Sequence, residues 1–323
     1  MEIKKVIEAV NFELEKFELP AEPKELYQPV SYILSLGGKR LRPMLVLLGK
    51  YLFSNDWQGA LKPSLSVEVF HNFTLMHDDI MDEAPLRRGK PTVHTHWNDN
   101  TAILSGDAMM IKAYDALDNL EPELYKKVVR LFNKTALEVC EGQQYDMNFE
   151  SRNDVSVEEY LEMIRLKTAV LLGFSLQMGA ILGGATDSEA LKIKQFGDAV
   201  GIGFQLKDDI LDVYGDAKDF GKQVGGDILS NKKTFLLITA LKEASQEQKS
   251  KLEYWITRDA FDATEKVKAI TDLYDEIGVK SRAEQVMNDY FDRGFKLLNS
   301  IEADATRKET LRLFTIDILN RIK

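Results

Sequence analysis

Large apolar residues recur three and four positions apart along most of this chain, the spacing of one face of an α-helix. The pattern is longest in VEEYLEMIRLKTAVLLGFSLQMGAIL, residues 157–182, and in LKIKQFGDAVGIGFQLKDDILDVYG, residues 191–215. Ser156 followed by Glu159 reads as a capping box that opens the first run. The stretch 70–81 has the same helical character. Proline placement agrees, because all eight prolines lie at or before Pro122. An interior proline costs a helix roughly 3 kcal/mol, so the rest of the chain is free to form long helices. Alternating segments bounded by Asn-Gly or Asp-Gly are missing, and no β-hairpin is expected. Loops are expected at 37–40, 83–98 and 215–231. Gly197, Gly201 and Gly203 read as points of close helix packing, since no strand precedes them as a phosphate-binding glycine motif requires. No linker, repeat or low-complexity segment interrupts the pattern. The expectation is one all-α domain over residues 1–323.

Composition narrows the function classes. A chain of 323 residues, 44% hydrophobic, can bury a large core. Its net charge of -10 argues against a nucleic-acid partner. Basic residues are instead bunched locally, at Lys39, Arg40 and Arg42, at Arg87, Arg88 and Lys90, and at Lys232 and Lys233. Cys140 is the single cysteine, which excludes an internal disulfide framework and fits a reducing compartment. The N-terminus MEIKKVIEAVNFELEKFELP has no apolar core of a signal peptide. No uninterrupted apolar run reaches about 18 residues, so no membrane span is expected and the protein reads as cytoplasmic.

Chemistry concentrates in TLMHDDIMDEAPLRRGKPTVH, residues 74–94. Asp78 and Asp82 are four apart at the end of the 70–81 helix, so their carboxylates share a face about 6 Å apart, with Asp79 about 100° round. Carboxylates at a helix C-terminus face the negative pole of the helix dipole and repel one another. A sequence accepts that arrangement more readily where a cation sits. FQLKDDILDVYGD repeats the spacing with Asp208, Asp209 and Asp212, about 130 residues later. Two such helix ends are expected to face one cavity. Carboxylates without accompanying His or Cys select hard cations such as Mg²⁺, which completes its shell with water and substrate phosphates. Arg87 and Arg88 close behind can grip phosphate oxygens in forked geometry. The ligand expected is a polyphosphate, held by metal on one side and guanidinium on the other. His94 and His96, spaced H-x-H, read as loop structure because no second His or Cys pair accompanies them.

These motifs resemble the trans-isoprenyl diphosphate synthases, the polyprenyl synthetase family. GGKRLRP (37–43), HNFTLMHDDIMD (71–82), LRRGKPTVH (86–94), GQQYD (142–146), LKTAVLL (166–172), GFQLKDDILD (203–212), FGKQVGGDI (220–228) and NKKT (231–234) stand in the family's order. The resemblance implies an all-α bundle of long helices around a central cavity, of the isoprenoid synthase type. It implies head-to-tail condensation of isopentenyl diphosphate with an allylic diphosphate (dimethylallyl, geranyl or farnesyl), with about three Mg²⁺ ions, or Mn²⁺. Asp78 and Asp82 would hold two of the metals and Asp208 a third, with Asp79, Asp209 and Asp212 as nearer or water-mediated partners. Arg87, Lys167, Lys222 and Lys232 would hold the allylic diphosphate, and Lys39, Arg42, His71 and Arg88 the isopentenyl diphosphate. A bend at Lys167 and Thr168, together with Gln205, would aim dipoles at the carbocation. Gln143 and Asp146 would reach the metal site through water. Phe73 and Thr74, five and four residues before Asp78, would set chain length, with the geranylgeranyl (C20) product expected ahead of farnesyl (C15). The family also implies a homodimer, with helices near 101–118 and 121–149 as interface candidates.

Two other readings share part of this pattern. A class I terpene cyclase also uses an aspartate-rich helix end, but its second metal motif carries Asn, Ser and Glu, and it needs no second diphosphate site. An inactive regulatory partner subunit normally lacks one acidic motif, whereas both are whole here.

Overall fold

The computed structural model describes residues 1–215, 225–258 and 260–320, and it is all-α apart from one two-residue hairpin. The chain forms two compact units, residues 1–133 with 174–191, and 134–173 with 192–323.

In the first unit α1 (Ile3–Glu15), α2 (Lys24–Ser35) and α3 (Leu41–Phe53) surround α4 (Leu61–Met81). The strands β1 (Leu86–Arg87) and β2 (Lys90–Pro91), the short α5 (Val93–His96) and α6 (Asp99–Asp115) follow, before α7 (Pro122–Glu150) begins. Helix α4 buries Val67, Val69, Phe70 and Met76, and packs chiefly on α6. The facing residues Ala102, Ser105 and Gly106 are small, which lets the backbones approach. A methyl group at Gly106 would lie 2.2 Å from His77 Nε2. Helix α9 (Val170–Leu182) crosses α3 in the same way, since a Cβ at Gly179 would lie 1.9 Å from the Val46 carbonyl.

The second unit holds the end of α7, α8 (Val157–Ile164), and most of α10 (Asp187–Tyr214). It continues with α11 (Gly226–Leu229), α12 (Phe235–Glu243), α13 (Gln246–Ile256), α14 (Ala263–Ile277), α15 (Val279–Ser300) and α16 (Ala305–Asn320). Ser156 caps α8 through the expected box with Glu159. At Lys167 and Thr168, where a bend is expected, the chain forms a π-helical segment, Arg165–Ala169, between α8 and α9. Gly201 and Gly203 mark close packing as expected, against Ala169 and Phe291. The run 157–182 is long and apolar enough to cross a membrane by length and composition, but 83% of its window is buried inside the protein. It is a core helix.

Three local expectations need correction. Residues 86–91 form a hairpin, pairing Leu86 with Pro91 and Arg87 with Lys90. Its two-residue turn uses Arg88 and Gly89, both at positive φ (53° and 74°), the geometry of a tight hairpin turn. An arginine in that conformation is not a turn signal, which is why the hairpin escapes the sequence. The expected loops 83–98 and 215–231 also contain the short helices α5 and α11, and residues 216–224 of the second lie outside the described residues.

Candidate active site

In the first unit, chemistry is built on the C-terminus of α4. The helix ends in a reversal with Glu83 at φ 49°; Glu83 N–H donates to the Ile80 carbonyl and Ala84 N–H to that of Asp79. A left-handed residue after the last turn, with these two bonds, is a Schellman ending, here with glutamate where glycine is usual. It turns the chain back so that β1 runs beside the aspartates. Arg87 then donates to both oxygens of Asp79, through Nε at 2.8 and 2.9 Å and Nη2 at 2.7 Å. Asp79 is only 2% exposed, whereas Asp78 remains one-fifth exposed and Asp82 is exposed. Arg87 also lies 3.9 Å from Asp78. Burial works against its charge, but hydrogen bonding to Asp79 overrides it, and the guanidinium is held above its usual pKa.

Arg88 leaves the same turn in another direction. Its Nη1 donates to the Gly37 carbonyl, and a Cβ at Gly38, where φ is 140°, would come within 3.0 Å of its Nη2. The double glycine thus admits a guanidinium. Around it stand Arg42 and His71. Burial, and secondarily the charge of Arg88, pulls Arg42 down to about 10, and its Nε is buried without a hydrogen-bond partner among the described residues. Burial, then the charges of Arg42 and Arg88, holds His71 well below its usual pKa, so its imidazole is neutral near pH 7. Lys39 is exposed at the edge. Arg40 behaves differently from its basic neighbours. It is 6% exposed, pairs with buried Glu68 at 2.7 Å, and bonds Asn11 and the Leu34 carbonyl. It anchors the loop from inside. The group that remains is cationic, and the Glu68 carboxylate near it is engaged by Arg40.

The second unit carries a cavity of about 150 Å³ lined by Asp146, Tyr160, Lys167, Thr168, Gln205, Asp208, Asp209, Asp212, Asp227 and Lys232, among others. Helix α10 presents Asp208, while Asp209 (4% exposed) is turned inward. The Tyr160 hydroxyl donates to Asp209 Oδ2, and Gln205 Nε2 to Oδ1 at 3.3 Å. Burial pushes Asp209 up to about 7, with the Tyr160 hydrogen bond opposing. Asp212 receives the backbone N–H of Asp227 at 2.9 Å, tying α11 to α10. Lys167, presented by the π segment, meets Asp146 at 2.6 Å. Asp146 is held low: burial raises it, but the charges of Lys232 and Lys167 prevail. Lys222 lies outside the described residues.

The sequence therefore names residues that lie within each unit: Asp78, Asp82, Arg87, Arg88, Arg42 and His71 in the first, and Lys167, Thr168, Gln205, Asp208, Asp209, Asp212 and Lys232 in the second. It misses Tyr160 and Asp227, though the GGDI that carries Asp227 stands inside a quoted motif. Both helix ends offer carboxylate oxygen alone, the donor chemistry of a hard divalent cation. Among the described residues no three metal-ligating side chains converge. One or two carboxylates with remaining coordination from water and substrate oxygen is the Mg²⁺ pattern, and these residues fit it.

Known proteins share this architecture. The polyprenyl synthetase family model matches residues 23–274. A geranylgeranyl diphosphate synthase of Methanosarcina mazei is 40% identical over 75% of each chain. A geranylfarnesyl diphosphate synthase of Natronomonas pharaonis is 34% identical over 90% of this chain and 89% of its own. A crystal structure of a geranylgeranyl pyrophosphate synthase superposes with a TM-score of 0.95 at 41% identity, covering 99% of both chains. With the family model spanning most of its length and both aspartate-bearing helix ends in place, the chain belongs to the polyprenyl synthetase family.

Proposed function

We propose that this protein is a prenyltransferase that condenses isopentenyl diphosphate head to tail with an allylic diphosphate, giving the C20 product geranylgeranyl diphosphate. The observation that carries the reading is the divergence of Arg87 and Arg88 from one tight turn. Arg87 lies with the carboxylates, and Arg88 lies with Arg42 and His71. One diphosphate must leave and the other must stay, so a site with metal-binding carboxylates and a site with protein cations alone match the two substrates.

Asp78 and Asp82 would hold Mg²⁺ or Mn²⁺ at the end of α4, and Asp208 would hold it at the end of α10. A divalent metal held by these carboxylates would stabilise the negative charge developing on the leaving allylic diphosphate, usually the largest catalytic contribution. Arg87, Lys167 and Lys232 would each offer fixed positive charge to the allylic diphosphate. The allylic C–O bond breaks with its electron pair on the diphosphate. The double bond of isopentenyl diphosphate then supplies the electrons of the new C–C bond, and the departed diphosphate takes up the proton whose loss restores the alkene. Gln205 bears on the cation. Its amide N–H₂ is engaged by Asp209, which leaves its carbonyl oxygen as the end offered to positive charge. Neutral His71 and charged Arg42, Arg88 and Lys39 hold the second diphosphate without drawing off its electrons.

Exposed apolar side chains favour a homodimer. Ile103, Leu104 and Ile111 stand out of α6, and Leu137, Tyr145 and Met147 out of α7, each at least 41% exposed. The test of the whole reading is incubation with Mg²⁺, labelled isopentenyl diphosphate and each allylic primer. A terpene cyclase would consume no isopentenyl diphosphate. Arg87→Ala should chiefly weaken the allylic substrate and Arg88→Ala the isopentenyl substrate, each by about 2–5 kcal/mol.

A further inference from the structure

Lys266 of α14 is fully buried, but among the described residues its hydrogen-bond partners are neutral oxygens rather than a carboxylate. Its Nζ donates to Asn231 Oδ1 at 2.7 Å and to the Leu229 carbonyl at 3.3 Å, and it sits 4.2 Å from the Phe261 ring centroid. An ammonium withdrawn from water without a counter-charge is unfavourable, and methionine would fill the space without that loss. What the ammonium adds is a grip on residues 229–231. Asn231 is left-handed, with φ 54°, and its Nδ2 donates to the Ile256 carbonyl at 3.0 Å. There the chain leaves α11 and turns back, with Lys232 N–H donating to the Asp227 carbonyl at 2.9 Å. The next side chain lining the carboxylate cavity is Lys232. One element, α14, thus secures both side chain and backbone of the turn that aims it.

We propose that Lys266 is a positioning residue for Lys232: by holding Asn231 in its left-handed turn, it fixes where the Lys232 ammonium meets the allylic diphosphate. The inference rests on the reading of Lys232 as a diphosphate ligand. Lys266 touches no substrate and acts through the turn alone. A displacement of about 1 Å in a charged ligand can lower turnover efficiency up to about a hundredfold, so a tilted turn is enough to matter.

Steady-state kinetics of the full chain with Mg²⁺, varying farnesyl diphosphate and isopentenyl diphosphate separately, decide the matter. Lys266→Met and Asn231→Ala should each raise the KM for farnesyl diphosphate about tenfold or more, with the isopentenyl KM within about twofold. Either change should add nothing to Lys232→Ala, because all three disable one contact. Lys266→Arg, which keeps the charge and donors, should restore part of the loss. If Lys232→Ala impairs the allylic substrate selectively but Lys266→Met does not, the positioning role is wrong and the diphosphate site stands. If Lys232→Ala shows no such selectivity, the underlying reading of the site fails. Should Lys266→Met not fold, Asn231→Ala carries the test, and unchanged allylic kinetics in that variant overturn the proposal.

Discussion

Asp79 holds Arg87 with both carboxylate oxygens, at 2.7–2.9 Å, from a position at the middle of an aspartate motif. The middle aspartate is thereby committed to an arginine, and Asp78 and Asp82 are left to face outward from α4. Breaking a buried ion pair by removing one partner typically costs 3–5 kcal/mol, and Arg87 is partly hydrated, so Asp79→Asn should lose about 1–3 kcal/mol of stability. It should also weaken the allylic substrate, and the double variant with Arg87→Ala should be little worse than Arg87→Ala alone. Denaturant unfolding with two-substrate kinetics checks both. Full additivity of the two changes would show that Asp79 acts on its own, as a metal ligand.

Metal dependence should divide the aspartates. Hard-oxygen sites completed by water and substrate bind Mg²⁺ modestly, so activity should need free metal and vanish with chelator. Asp78→Ala and Asp208→Ala should each lower turnover by about two or more orders of magnitude. Asp209→Asn should behave differently, because its oxygens already serve Tyr160 and Gln205. Its loss should persist at saturating metal, while the deficit of Asp78→Glu should shrink as metal is raised. Metal titrations of the variants separate the cases.

The helical period made the class of fold legible, because burial of one face is written every three or four residues along 157–182 and 191–215. The acidic helix ends were legible for a similar reason: repelling charges at a negative dipole pole need an external partner. The orientation of individual side chains was not. Whether Asp79 faces solvent or arginine depends on a hairpin whose turn has Arg88 where Asn or Gly is usual. Arg40 reads as one more loop cation because its partner, Glu68, sits inside an apolar helix 28 residues on. Tyr160 reaches Asp209 across 49 residues and Lys266 reaches Asn231 across 35, and neither distance leaves a local pattern.

His71 should make stability fall in mild acid. Burial, then neighbouring Arg42 and Arg88, holds its folded pKa well below the unfolded 6.5. Between those two values the unfolded chain binds the extra proton, so stability rises with pH there. The contribution is whole above pH 6.5 and declines below it, by at most about 1.4 kcal/mol per pH unit for one group. His71→Asn removes that component. The wild-type advantage over His71→Asn, measured by denaturant unfolding at several pH values, should shrink from pH 7 to pH 5. A constant difference over that range would mean that His71 is not held neutral.

Product length should turn on a column of rings below Asp78. Phe73 lies one and a half turns down α4, about 7.5 Å along its axis. Its ring meets His77 edge-on at 4.8 Å and tilts against Phe70 at 5.6 Å. Phe70 is fully buried and rests on Phe132 at 5.2 Å, which stacks on Phe174. Thr74 ties its hydroxyl to the His71 carbonyl at 2.8 Å, presenting little bulk beside the ring. Phe73 is partly exposed while Phe70 is not, so Phe73 is the first ring a growing chain would reach and Phe70 the second. Removing the first leaves the second in place, braced by its neighbours. Phe73→Ala should therefore extend the product by about one isoprene unit, from C20 toward C25, because a cavity whose walls cannot collapse stays open. Phe73→Ala combined with Phe70→Ala should extend it further. Chromatography of dephosphorylated products from labelled isopentenyl diphosphate reads the outcome, and an active Phe73→Ala enzyme with an unchanged product spectrum would place the floor elsewhere.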